Sequence, residues 1–347
     1  MTERVVVAAE RSRAIVLAAR VDCNRAAGSP QRDLSKLQPS ARDLHMSDSK
    51  PDCFRVTLLG TGAPPPLINR FGPSTLVEAG AETFLFDAGR GAMQRLHQLR
   101  LPFGDVTGMF LTHHHSDHLV GFTDLWLTGW IGRPWGNRST PLRIWGPEGT
   151  RQFAEHLPLA FATDLRVRAH VYSPTGARLE ASEIGEGLVF DRGGVRVTAF
   201  KVDHGGEDLI SLGYRIDYAG RSLVLSGDTR FSENLIQHSY DADVLVHEVA
   251  YGAGEGVQRA NVERISRNHT LPEQAGVVFS RVKPKLAVYN HLLLFGDATS
   301  KDLVPATRAT YSGPLVIGED LMRIEIGPEP HVARLVSESS ERAISGR

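Results

Sequence analysis

The sequence predicts an α/β protein arranged as a four-layer αββα sandwich, with two sheets packed face to face and helices outside. Three observations carry that prediction. Short apolar runs of strand length recur from Phe54 to Ile326, segments with apolar spacing nearer 3.6 lie between them, and hairpins and helices alternate in both halves. At 347 residues the chain is long enough to bury a large core.

Residues 1–50 mix Arg, Ala, Ser and acids without a sustained period and end in Ser47-Asp48-Ser49-Lys50-Pro51, so they read as a tail. Met46, just before the first strand, is an alternative start. One domain is expected over 51–328, followed by a C-terminal tail over 329–347.

The domain opens with a strand from Phe54 to Leu59 and the turn-rich Gly60-Thr61-Gly62-Ala63-Pro64-Pro65-Pro66. A hairpin follows, Ser74–Glu78 with Thr83–Phe86, turning at Ala79-Gly80-Ala81; then Asp87-Ala88-Gly89 leads into a helix over Gly91–Leu99. Val106, Met109, Phe110 and Leu111 read as a short buried strand ending at Thr112.

Further strands are expected at Leu142–Trp145, Arg166–Tyr172, Val195–Val202, Ser211–Tyr218, Ser222–Ser226, Val244–His247, Leu286–Tyr289, Leu315–Ile317 and Arg323–Ile326. Helices fit Leu119–Trp130, Glu148–His156, Ser232–His238, Pro272–Val282 and Lys301–Thr310, and Pro272 suits a first helical turn.

A net charge of −1 gives no overall pull toward nucleic acid, although it leaves room for a local basic patch. Two cysteines, Cys23 and Cys53, form no metal-ligand spacing and at most one disulfide, so the cytosol is the default compartment. No apolar run approaches the roughly 20 residues that span a bilayer.

The densest chemistry lies in His113-His114-His115-Ser116-Asp117-His118, whose H-x-H-x-D-H core offers imidazoles and a carboxylate to metal ions. The alternatives are a tag remnant, which would sit at a terminus and lack the patterned Asp, and a solvated surface loop. His114, between two candidate ligands, is read as a bystander. Other strand ends carry Asp203-His204-Gly205-Gly206, Ser226-Gly227-Asp228-Thr229, His247-Glu248 and Asn290-His291. Singly, each fits a turn or a satisfied histidine; together they deliver side chains to one cleft.

In this order the motifs resemble the metallo-β-lactamase superfamily. Leu59-Gly60-Thr61-Gly62, Asp87-Ala88-Gly89, Ser226-Gly227-Asp228-Thr229, His247-Glu248 and Asn268-His269-Thr270 resemble its ribonuclease Z and arylsulfatase-like branch, over roughly Phe54 to Ile326. The resemblance implies two divalent ions, zinc first, with manganese or iron as other fits. His113, His115 and His204 would hold one and Asp117, His118 and His291 the other, with Asp228 between them. It further implies that Asp117 orients or deprotonates the attacking water. Glu248 would orient His269 to supply the leaving-group proton, and His247 would support a ligand. A capping or surface role before Pro272 is the alternative for His269.

Gly60-Thr61-Gly62 lacks the Lys and Ser/Thr of a phosphate loop and reads as a turn near the metals. Trp126, Trp130, Trp135 and Trp145 fit either a substrate pocket or the core.

Two departures from the ribonuclease Z pattern bear on substrate. Only Arg215–Ser226 separate Gly213-Tyr214 from Gly227-Asp228, leaving no room for the long tRNA-gripping arm, and the apolar His291-Leu292-Leu293-Leu294-Phe295 replaces a more polar run. Both favour a metal-dependent hydrolase of a small phosphodiester, phosphate or sulfate ester. A tRNA 3′ endonuclease is the alternative, and an iron-dependent oxidoreductase of the same fold a more distant one. The expected partner is a small-molecule ester, with nucleic acid not favoured, no membrane, and a homodimer compatible with the sequence.

Overall fold

The structure is a computed structural model and describes residues 53–333, apart from Glu207, Glu255, Gly256 and Gln258. The expected tails at 1–50 and from 334 onward lie outside the described residues. The chain runs β1 (Phe54–Gly60), β2 (Ser74–Ala79), β3 (Glu82–Phe86), α1 (Ala92–Gln98), β4 (Gly108–Phe110), α2 (Ser116–Leu119), α3 (Phe122–Trp130), β5 (Leu142–Gly146), α4 (Thr150–Ala160), α5 (Ala162–Arg168) and β6 (Leu179–Glu183). It continues through β7 (Gly187–Arg192), β8 (Val195–Val202), β9 (Ser211–Tyr218), β10 (Arg221–Leu225), α6 (Glu233–His238), β11 (Val244–Ala253), α7 (Arg259–Ser266), α8 (Pro272–Val282), β12 (Leu286–Gly296), α9 (Ser300–Thr307), β13 (Leu315–Ile317), β14 (Met322–Glu325) and β15 (His331–Ala333).

These strands form one sheet in the order β15-β14-β1-β2-β3-β4-β5-β6 and a second in the order β13-β12-β11-β10-β9-β8-β7. The two-residue period of each strand decides which face it buries. Val195, Val197 and Ala199 of β8, Leu212, Tyr214 and Ile216 of β9, and Leu223 and Leu225 of β10 share one buried cluster with Val56, Leu58, Val77, Phe84, Phe86 and Phe110 of the other sheet. The opposite faces pack under helices. Leu76, Leu85 and Met109 meet Met93, Leu96, Phe122 and Trp126, while Val224, Leu245 and Ala287 meet Leu235, Ile236, Val278 and Phe279. The expected αββα sandwich is the observed fold.

Neighbouring strands β10, β11, β12 and β13 are parallel, as are β3, β4, β5 and β6. Their C-terminal ends therefore open along one edge of each sheet, where crossover loops begin. The β9–β10 hairpin closes tightly at Ala219-Gly220, with φ of 51° and 73°, so no arm is inserted there.

Several elements differ from those the sequence predicts. Residues 162–168 form α5, overlapping the strand expected at Arg166–Tyr172. The alternation Arg166-Val167-Arg168 imitates a strand, but Asp164 and Arg168 pair one helical turn apart at 2.8 Å. The C-terminal boundary moves past residue 328, because β15 pairs with β14 through Arg323–Glu325. β6, β7 and α7 were not expected; Leu179–Glu183 buries no residue fully and so shows little alternation. Among the described residues no helix is long and apolar enough to cross a membrane.

Arg138 is buried and donates to the carbonyls of Trp126 in α3 and, at 3.3 Å, of Gly176, and pairs with no acidic side chain among the described residues. Burial lowers its pKa to about 10, so it stays charged at neutral pH. Arg138→Ala leaves buried carbonyls unpaired and is expected to cost roughly 2–4 kcal/mol, read as a lower urea midpoint at unchanged slope. An unchanged midpoint would contradict this role.

Candidate metal centre

β4 ends at Phe110, and the chain turns through Leu111–His115 into the one-turn helix α2, whose start presents Asp117 and His118 inward. Two contacts from the opposite sheet fix this turn: Tyr214 Oη donates to Leu111 O at 2.6 Å, and Leu212 N donates to Thr112 O at 3.0 Å. Asp87, at φ 59° after β3, accepts from Thr112 N and Thr112 Oγ1, both at 2.8 Å, and from His118 Nδ1 at 2.7 Å. An aspartate tolerates the left-handed region better than most residues.

Five further segments converge on this loop. His204 follows β8, Asp228 follows β10, Glu248 lies within β11, and His269 precedes α8. Gly227 gives Asp228 its direction: its φ is 61°, and any Cβ there would collide with Leu212 O. His291 lies within β12 as the extra residue of a bulge, since Glu248 pairs with Asn290 and Val249 with Leu292. Its φ of 44° re-aims the side chain toward the cluster, as bulges commonly do.

The convergence takes two forms. His115 Nδ1 stands 3.0 Å from His113 Nε2 and 3.1 Å from His204 Nε2. Asp117 Oδ2 lies 3.6 Å from His118 Nε2 and 3.5 Å from His291 Nε2. Between the sets, Asp228 Oδ2 reaches His291 Nε2 at 3.1 Å, His118 Nε2 at 3.4 Å, His204 Nε2 at 3.8 Å and His113 Nε2 at 4.0 Å. One carboxylate oxygen thus faces imidazoles of both sets.

The arrangement fits ions on two grounds. Two nitrogens each ~2.0–2.1 Å from one tetrahedral ion stand about 3.3 Å apart, close to the spacing of the first set. In the second set, Asp117 Oδ2, His118 Nε2 and His291 Nε2 are buried without a hydrogen-bond partner, an arrangement that is costly unless a cation satisfies them. Outer nitrogens are already held: His113 Nδ1 by Thr112 Oγ1 at 2.9 Å, His118 Nδ1 by Asp87, and His204 Nδ1 by Asn268 O at 2.8 Å. Such contacts orient a ligating imidazole and set its tautomer.

Charge follows the same logic. Burial, reinforced by repulsion from His118, holds His113 well below its usual pKa and therefore neutral. Burial also lowers His115 and His204. For His118, burial opposes protonation, but Asp228 and Asp87 outweigh it and push the pKa well up. A cation would displace that proton. Asp228 is held well below the carboxylate range despite burial, because His291 and His118 face it.

Beside the cluster, His269 Nδ1 lies 3.3 Å from Glu248 Oε1, which also accepts from Thr229 N and Thr270 N at 3.1 Å. Burial would lower the His269 pKa, but the Glu248 carboxylate raises it to about 9. His247 turns away, donating Nδ1–H to Glu248 O at 2.6 Å and packing on Phe279.

All eight further candidates named from the sequence, with His113, meet here: His115, Asp117, His118, His204, Asp228, Glu248, His269 and His291. His114 lies outside these groups, beside Thr150 and Phe153. Trp126 and Trp130 are core, Trp135 is exposed, and none of the four tryptophans lines the cavity under the cluster. Asp87 and Thr112, which orient His113 and His118, carry no signal in the sequence beyond the Asp87-Ala88-Gly89 turn.

Residues 82–292 match the family described as Beta-lactamase superfamily domain. The ribonuclease Z of Mycobacterium bovis (strain BCG / Pasteur 1173P2) is 34% identical over 279 residues, covering 79% of this chain and 99% of that protein. Among solved structures, the metallo-beta-lactamase fold protein YhfI from Bacillus subtilis aligns with a TM-score of 0.63 at 19% identity, over 79% of this chain and all of that one. The short form of human tRNase Z aligns at 0.58 and 22% identity, over 79% and 99%. With its two-sheet sandwich and histidine-aspartate cluster, the chain belongs to the metallo-β-lactamase superfamily, in its ribonuclease Z branch, and is a metal-dependent hydrolase of ester bonds.

Proposed function

We propose that this chain is a two-metal phosphodiesterase that cleaves precursor tRNA on the 3′ side. The observation that carries the reading is the Glu248–His269 pair beside the cluster. An activated aryl ester departs without a proton, whereas a ribose oxygen is a poor leaving group and needs one.

In this reading His113, His115 and His204 hold one ion, Asp117, His118 and His291 the other, and Asp228 faces both. Zinc is the first choice for such nitrogen and oxygen donors, and manganese or iron also fits. Two divalent ions there supply charge against the phosphodiester oxygens and lower the pKa of a water. Asp117 orients that water and accepts its proton. His269, held protonated by Glu248, delivers a proton to the departing oxygen.

The preference for a small ester, drawn from the sequence, is reversed on two grounds. Leu292 and Leu294 pack into or against the core beside α8, so half of the four-residue apolar run after His291 is explained by folding. The M. bovis relative, named a ribonuclease Z, is covered to 99% by 279 aligned residues, so it carries no long insertion that this chain lacks. Absence of an arm between β9 and β10 therefore does not argue against RNA.

Zinc-loaded protein is expected to remove the 3′ trailer from a precursor tRNA, to lose that activity with a chelator and to regain it with Zn²⁺. Uncut precursor under conditions where a bis-aryl phosphodiester is hydrolysed would restore the small-ester reading. Turnover that ignores the chelator would refute the two-metal reading itself.

A further inference from the structure

Beneath the cluster, between the sheets, lies a cavity of about 40 Å³ whose walls include Thr75, Ser226, Glu248, Asn290 and His291. One water needs roughly 10–15 Å³ of such space and two to four polar partners. Five buried atoms of the wall residues have no hydrogen-bond partner: His118 Nε2 and His291 Nε2, which face the second ion position, and three that do not, Glu248 Oε2, Asn290 Oδ1 and His291 Nδ1. Glu248 and His291 approach closely, with ligand atoms of Glu248, His269 and His291 all within 4.8 Å of one another.

Their chemistry is complementary in a specific way. With Nε2 turned to an ion, the neutral His291 ring carries its proton on Nδ1 and is a donor there. Glu248 Oε2 and Asn290 Oδ1 are acceptors and cannot satisfy each other. His113, His118 and His204 each have an outer nitrogen held by protein, whereas the outer nitrogen of His291, Nδ1, is not. A water accepts one hydrogen bond from Nδ1–H and donates one to each oxygen, which satisfies all three atoms.

We infer that this cavity binds an internal water shared by His291, Glu248 and Asn290, and that Asn290 is thereby a positioning residue for the metal centre and its acid pair. The inference rests on the proposed role of His291 as a ligand. The Asn290 amide is anchored at its other end, where Nδ2 meets Thr75 Oγ1 at 3.4 Å. That contact aims Oδ1 inward from the position just before the bulge.

Crystal structures of the metal-free and the zinc-loaded protein should both show solvent density within ~2.7–3.2 Å of the three atoms. Asn290→Leu fills the space, and Asn290→Asp keeps an accepting oxygen. In zinc titrations, Asn290→Leu should bind one of its two ions about 10–100-fold more weakly, with Asn290→Asp close to the parent. A dry cavity in the crystals, or two unweakened ions in a folded Asn290→Leu protein, would overturn the inference. If the parent protein binds fewer than two ions, the ligand assignment fails. The metal-free crystal still decides whether the water is there, and it does so even if Asn290→Leu does not fold.

Discussion

Asp228→Asn is expected to lose most of the acceleration the enzyme provides, which for hydrolases is at least ~10⁶-fold, while the protein remains folded. The geometry explains why this residue outranks any single histidine. Its Oδ2 lies within 3.1–4.0 Å of four imidazole nitrogens, two from each set, and its charge is fully buried. An amide keeps the shape and removes the negative charge that offsets two neighbouring cations. With ions bound as proposed, Asp117 would be left as the one carboxylate of the second set, and buried positive charge that is under-compensated costs several kcal/mol in protein interiors. Metal content of the purified variant, measured beside its rate on precursor tRNA, checks this. Two tightly bound ions together with rates near the parent's would contradict it.

Legibility from the sequence followed the range of each constraint. The H-x-H-x-D-H run is local: four candidate ligands within one turn and a helical start need only a strand before them, so residues 113–118 declared themselves. The inner-face alternation of Val195, Val197 and Ala199 is also local, and it yielded the sandwich. What stayed hidden depends on partners distant in sequence. Asp87 orients His118 from 31 residues away, and Tyr214 pins Leu111 from the other sheet, 103 residues away. The expected end of β12 at Tyr289 has the same origin. His291 interrupts the alternation because it is a bulge, and the strand resumes to Gly296 beyond it. The Leu-rich continuation then read as a substrate surface when part of it is core. Composition cannot separate those two uses of leucine, and pairing with β11 does.

The acid pair yields the sharpest pH test. His269→Ala should lower kcat on precursor tRNA about 10²–10⁴-fold, the usual worth of a general acid, with both ions still bound. An aryl phosphodiester, whose leaving group needs no proton, should suffer far less. That difference between substrates separates proton donation from simple damage to the metal centre. The sign of the pH effect follows from Glu248. In the proposed role His269 acts when protonated, so the rate should hold below its pKa and fall as pH rises through it, at about 9 with the Glu248 carboxylate in place. Two bound cations nearby would pull that limb lower. Glu248→Gln preserves the hydrogen-bonding shape but removes the charge, so the limb should move down toward the ~6.5 of an ordinary histidine. Well below both values, the variant and the parent should converge on precursor tRNA. If Glu248→Gln leaves the alkaline limb where it was, His269 is not the proton donor, and the argument for a poor leaving group loses its support.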